Sequence, residues 1–188
     1  MCRSLLAAAQ PAREPGLANG RATLAVCEPV TRIPLAPSEV TALIPFLELL
    51  AALSAALFAG AALYINVVEH PARMGLETRM AALQWAPSYK RATWLQAPLA
   101  IVSLLCGAAV WLLGGVVGWL VAALLVGAVV PVTFAVIMPT NHKLLAPGRD
   151  LSSAETRELL VRWGQLHAVR TILSLAGTVI YIWLLLGA

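Results

Sequence analysis

Charge is scarce in this chain: only 12% of its 188 residues are Asp, Glu, Lys or Arg, while 60% are hydrophobic. That balance excludes an ordinary soluble domain, in which about a quarter of the residues are charged. From Ala92 to His142 there is no charged side chain at all. A helix rises about 1.5 Å per residue and about 20 residues cross about 30 Å of hydrocarbon, so this run holds two spans and a tight turn. Gly114, Gly115 and Gly118 mark the turn. Further uncharged runs, Leu49 to Val68 and Thr171 to Ala188, supply a span before and a span after.

Cysteine is also sparse. Cys2, Cys27 and Cys106 are odd in number and far apart, which excludes a disulfide framework and a thiolate metal site. Sustained periodicity is missing from residues 1–38, where Pro11, Pro15, Pro29, Pro34 and Pro37 fall among scattered arginines, and a disordered N-terminal tail is expected there. Within it Leu5–Ala9 is too short an apolar stretch for a signal peptide, and Glu14 and Glu28 are foreign to a transit peptide.

What remains predicts an all-α integral membrane four-helix bundle over 39–188, with spans near 46–68, 95–113, 119–138 and 169–187. Trp and Tyr favour the headgroup zone. Trp111, Trp119, Tyr181 and Trp183 mark one face, and Tyr64, Trp85, Tyr89, Trp94 and Trp163 lie at or beyond the other. Arg73, Arg79, Lys90, Arg91, Lys143, Arg149, Arg157, Arg162 and Arg170 all flank the two long loops, whereas the glycine turn and the C-terminus carry no Lys or Arg. The positive-inside tendency therefore predicts cytoplasmic long loops and outer termini, in a plasma (inner) membrane. The net charge of +4 is a topology signal of this kind and argues against nucleic acid.

The two loops resemble each other. Aligning Glu77, Thr78 and Arg79 with Glu155, Thr156 and Arg157 also aligns Trp85 with Trp163, Tyr89 with His167 and Thr93 with Thr171. This suggests a duplicated unit of span, loop helix and span, giving two pseudo-repeated hairpins with amphipathic loop helices on the cytoplasmic side. Ser152 is placed to cap the second loop helix with Glu155 completing a capping box, and Pro87 is expected to bend or end the first.

Polar groups gather at the loop ends of the spans. Asn66, Glu69, His70 and Arg73 close the first span, Pro139, Asn141 and His142 the third, and Trp163, His167 and Arg170 share one face entering the fourth. Each has an ordinary role as well: histidines bond loop carbonyls, arginines snorkel to phosphates, and asparagines cap helix ends. Convergence of His70 and His167 is an open question at this level, and His142, beside Lys143, is the weakest candidate of the three histidines.

Asn66 with His70, Pro71, Ala72 and Arg73, the run Trp85 to Arg91, Pro139 to Asn141, and Arg162 to Arg170, spread over four spans, resemble the anthrone oxygenase-like family of membrane proteins, long catalogued as a domain of unknown function. The resemblance covers about Val40 to Ala188 and implies oxidation of a lipophilic phenolic or polycyclic substrate by O2 without an organic cofactor. On these residues it implies His70 or His167 as general base, Arg73, Arg170 and Tyr89 as oxyanion stabilisers, and Asn66, Trp85, Asn141 and Trp163 around the substrate. A metal variant, with copper, iron or haem on the imidazoles, ranks second because no ligand spacing matches a dedicated motif. The competing class is a non-enzymatic membrane subunit or a small-molecule carrier. Expected partners are the bilayer and an apolar small molecule, and a homo-oligomer is compatible with the sequence.

Overall fold

The computed structural model describes residues 37–187, and every long element in it is helical. Most of the expected tail lies outside the described residues; its last two positions, 37 and 38, already belong to the first helix, α1 (Pro37–Tyr64). A π-helical turn at Ile65–Glu69 and α2 (His70–Met74) continue α1, and α3 (Thr78–Leu112) follows a short loop. After the glycine turn come α4 (Val117–Gly127), α5 (Val129–Val132), a second π-helical turn at Thr133–Ile137 and α6 (Met138–Leu144). The second long loop leads to α7 (Ala154–Leu185). Four stretches are long and apolar enough to cross a membrane: Ala42–Met74, Thr78–Leu112, Val117–Leu144 and Ala154–Leu185. The protein is an integral membrane protein with four spans.

The first and third expected spans lie inside these helices, the second and fourth overrun their ends at Leu112 and Leu185 by one and two residues, and all four helices run further at the loop end. The loop helices that the sequence suggests are the opening turns of α3 and α7, each continuous with its span. Pro87 does not end α3, and Pro98 also lies within it. The start of α7 is shifted by one residue from expectation. Ser153, not Ser152, is the cap, its Oγ accepting from Thr156 N at 3.2 Å, while Ser152 N donates to Asp150 Oδ1 at 2.8 Å. Glu155 pairs with Arg149 at 3.3 Å instead of reaching back to the cap.

The spans form a ring in which the first packs on the second and fourth, and the third on the same two. Small side chains permit this closeness. Ala51, Ala55 and Ala59, four apart, are buried along the first span, and Phe58 and Ala62 continue the stripe. At the glycine-turn end Trp119 and Tyr181 belong to the core, with ring centroids 5.3 Å apart, although the sequence assigns both to the headgroup zone. The phenol of Tyr181 donates to Ser103 O at 3.1 Å and occupies the space a side chain on Gly107 would fill. An internal partner thus replaces the interfacial one.

Two prolines explain the π turns. Pro71 and Pro139 sit in the first turns of α2 and α6. A proline ring clashes with the carbonyl four residues back and offers no N–H, so the preceding turn widens and takes in one extra residue. Accordingly His70 N donates to Ile65 O and Met138 N to Thr133 O, each five residues back. The inward stripe of the first span then slips by one: after Phe58, Ala62 and Ile65 the buried positions are His70 and Arg73, not Glu69. Each half of the chain has a π turn followed by a proline helix, a loop and a long helix.

Candidate functional site

At the loop end of the bundle the indole of Trp163 is the common neighbour. Its ring centroid lies 4.9 Å from that of His167, 5.4 Å from His70 and 5.8 Å from Trp85, which meets it edge-on at 81°. The Arg73 guanidinium carbon sits 5.9 Å from the same ring. Tyr89 stacks on Trp85, nearly parallel at 5.2 Å. The structure therefore brings His70, His167, Arg73, Trp85, Tyr89 and Trp163 into one cluster. They come from the first, second and fourth spans.

Asn66 ties the first span to the fourth. Its Nδ2 donates to Gly164 O at 3.0 Å, which sets the amide orientation and leaves Oδ1 as an acceptor. Into Oδ1 come Thr171 Oγ1 at 2.6 Å and His167 Nδ1 at 2.7 Å. An amide oxygen only accepts, so Nδ1 of a neutral His167 carries the hydrogen and Nε2 keeps its lone pair. Among the described residues Nε2 has no hydrogen-bond partner. This is a base held by a neutral orienting group.

His70 and Gly164 fit because one of them has no side chain. A Cβ on Gly164 would stand 2.3 Å from His70 Nε2. His70 Nδ1 is buried without a hydrogen-bond partner among the described residues. The π turn separates two residues that a regular helix would have kept on one face. Asn66 and His70 turn to the fourth span, while Glu69 turns to the second, where it accepts from Ser88 Oγ and pairs with Arg73.

The two arginines differ in their partners. Arg73 is 2% exposed, is neutralised by Glu69 and donates to Gln84 Oε1. Arg170 is 9% exposed and, among the described residues, has no carboxylate within salt-bridge distance. Its Nη2 donates to Gln96 Oε1 at 2.9 Å, its guanidinium carbon lies 5.4 Å from the ring of Phe58, and its Nε has no partner among the described residues. A buried cation with no counter-charge is unfavourable in an apolar bundle and suits an anionic or partially negative guest.

A recess of about 10 Å³ lies between His167, Trp163, Tyr89, Gln96 and Arg170, enough for about one water-sized molecule. Beside it, sharing Tyr89, Thr93 and Arg170, is an apolar cavity of about 90 Å³ walled by Phe58, Thr133 and Met138. Tyr89 OH contacts Met138 Sδ at 3.8 Å on that side.

Asn141 is fully buried and both amide atoms lack partners among the described residues, but it does not line either of these cavities. His142 is exposed in the last turn of α6 and stands outside the cluster. Among the described residues no three His, Cys, Asp or Glu side chains gather as a metal site would need. Gln96, Ser88, Gly164 and Thr171 are not anticipated as site residues. The signals were modest: Gln96 is an amide inside a predicted apolar span, and Thr171 is the partner of Thr93 in the repeat.

Four apolar spans around a buried His, Arg and Trp cluster define a polytopic membrane protein with a polar site inside one end of its bundle. The sequence profile of the anthrone oxygenase family matches residues 85–180, just over half of the chain, and the protein belongs to that family. The match includes Trp85, Tyr89, Asn141, Trp163, His167 and Arg170, while Asn66, His70 and Arg73 precede it. No curated protein and no solved structure matches the chain.

Proposed function

We propose that the protein is an oxidoreductase that uses O2 to convert the methylene of a lipophilic anthrone-type phenol to a carbonyl. The observation that carries this reading is the bond from His167 Nδ1 to Asn66 Oδ1, which leaves Nε2 free as a base beside the unneutralised Arg170. The methylene of such a substrate is acidic because its carbanion spreads into the flanking rings and carbonyl. His167 Nε2 takes the proton, and the guanidinium of Arg170 and the phenol of Tyr89 stabilise the oxygen that gains charge. The carbanion delivers electrons to O2, oxygen bonds to the carbon, and the resulting peroxide breaks its O–O bond. One methylene and one O2 become one carbonyl and one water, so no external reductant is needed.

His70, set against Trp163, is assigned to shaping the rear of the site or to a second proton transfer. Trp163 forms part of its wall with Trp85 packed edge-on behind it, and Asn141, which lines neither cavity, is given no substrate contact. The reaction is assigned to the chain's own residues, without metal or organic cofactor, with a copper or iron site on the imidazoles as the alternative. The long loops are placed in the cytoplasm and the bundle in the plasma membrane, where apolar substrate and O2 both concentrate.

The test is purified full-length protein in detergent with an anthrone, followed by oxygen uptake and quinone absorbance together with metal analysis. Above the protein-free rate, one O2 consumed per quinone is expected. Uptake no faster than without protein removes the oxygenase reading, and stoichiometric copper or iron shifts it to the metal variant.

A further inference from the structure

The repeat makes the two sides of the bundle comparable, and they are not alike. Between the first and fourth spans the space is closed by polar contacts: Asn66 on Gly164, His167 and Thr171, and His70 against Gly164. The corresponding space between the third and second spans holds Phe134 and Met138 opposite Tyr89 and Thr93, and it is a cavity. One side of the bundle is closed around His167 and the other holds an apolar cavity.

Two residues of the second span stand between that cavity and the outer surface. Thr93 and Ala97 line the inner cavity and also an apolar groove of about 500 Å³ on the outer surface, completed by Trp94, Pro98, Ile101 and Val102. Thr93 lines the recess beside His167 as well, so a single threonine borders all three spaces. Both sill residues are exposed, as are Trp94 and Phe134 on either side of the mouth. The surface there is of a kind that meets lipid chains. At the inner end stands Arg170 with its unpartnered Nε.

We infer that the gap between the second and third spans is a lateral portal through which a planar phenolic ring passes from the bilayer, coming to rest with its oxygen on Arg170 and its edge toward His167. The occupant follows from the lining. Apolar walls accept flat hydrocarbon, and the buried guanidinium at the far end requires an oxygen bearing negative charge. Thr93 and Ala97 determine how large a ring passes, and Phe134 and Met138 yield at the third span. The portal rests on the proposed oxygenase reading for its substrate class, but its occupancy can be read without turnover.

The test uses full-length protein in lipid nanodiscs and 1,8-dihydroxyanthraquinone, a planar phenol that the proposed reaction cannot consume. Ala97→Trp narrows the sill and is expected to raise the Kd at least tenfold, while Ala56→Trp, on an exposed position of the first span, leaves it unchanged. Wild-type affinity in Ala97→Trp overturns the portal. Because that variant can also fail to fold, a diazirine derivative of the same phenol is photolysed with the wild-type protein. Label on Thr93, Phe134 or Met138, competed by excess parent compound, is the expected result. Label confined to the seam of the first and fourth spans, or label that is not competed, overturns the inference. Binding and labelling at the portal without any oxidation would instead sink the oxygenase reading and leave the portal standing.

Discussion

Asn66 Oδ1 stands 2.7 Å from His167 Nδ1, joining a residue of the π turn in the first span to the centre of the fourth. The same oxygen takes the Thr171 hydroxyl, and the amide's other end holds Gly164 O. Asn66→Ala strips the acceptor from His167 Nδ1 and the side-chain donor from Gly164 O, while the Thr171 hydroxyl keeps Ala62 O at 3.3 Å as an acceptor. A loss of about 1–3 kcal/mol in stability is expected from the unsatisfied groups. Turnover per folded molecule should fall by more than that loss explains, since the imidazole is no longer held in one tautomer. Thermal unfolding in detergent together with kcat separates the two effects, and an unchanged kcat in folded Asn66→Ala contradicts the orienting role.

Gly164 faces His70 Nε2 so closely that a methyl group would overlap the ring. Gly164→Ala should cost about 1–3 kcal/mol by overpacking. Part of that cost should vanish when His70 is also changed to Ala, because the clash goes with the ring. The double-mutant cycle measures this coupling, and strict additivity would show that the two residues do not touch.

At the other end of the bundle Gly107 lies beneath the phenol of Tyr181, where a Cβ would stand 2.0 Å from the hydroxyl oxygen. Gly107→Ala should destabilise by about 1–3 kcal/mol. Tyr181→Phe, losing only the bond to Ser103 O, should cost about 1 kcal/mol. Neither should alter kcat at a temperature where both are folded, because Gly107, Ser103 and Tyr181 line neither cavity of the site. Chemical denaturation and initial rates decide it.

Arg73 is buried and relies on Glu69 for its counter-charge. Glu69→Ala leaves the cation alone and should cost about 3–5 kcal/mol, as when one partner of a buried pair is removed. Replacing both by neutral residues of similar size, Glu69→Gln with Arg73→Met, should recover much of that loss. Unfolding midpoints of the three proteins test it, and a double variant as unstable as Glu69→Ala contradicts the pairing.

The four spans are legible in the sequence because hydrocarbon admits so little charge: the uncharged runs alone place them. The membership in the family is legible through short runs around Trp85, Asn141 and His167. The meeting of His70 and His167 on Trp163 is less so, since it depends on an extra residue in a turn that proline widens, which no alternation of apolar residues announces. The helices run past the expected spans at the loop end because Lys90, Arg91, Arg157 and Arg162 limit the apolar span and not the helix; Arg157 donates to Met74 O, at the end of α2, and to Leu76 O. Trp119 and Tyr181 are misplaced because aromatic residues near a span end have two outlets, lipid headgroups or a neighbouring carbonyl, and the sequence does not show which is near.

On the proposed function, His167 Nε2 is expected to remove a proton from the substrate carbon before oxygen takes part. Anaerobic incubation of the purified protein with an anthrone in deuterated water isolates that step, with mass spectrometry following loss of the methylene hydrogens. Wild-type protein should accelerate exchange in the absence of O2, and His167→Ala should reduce both this acceleration and the subsequent oxidation by about 10²-fold or more. Exchange and oxidation at wild-type rates in folded His167→Ala would contradict the account.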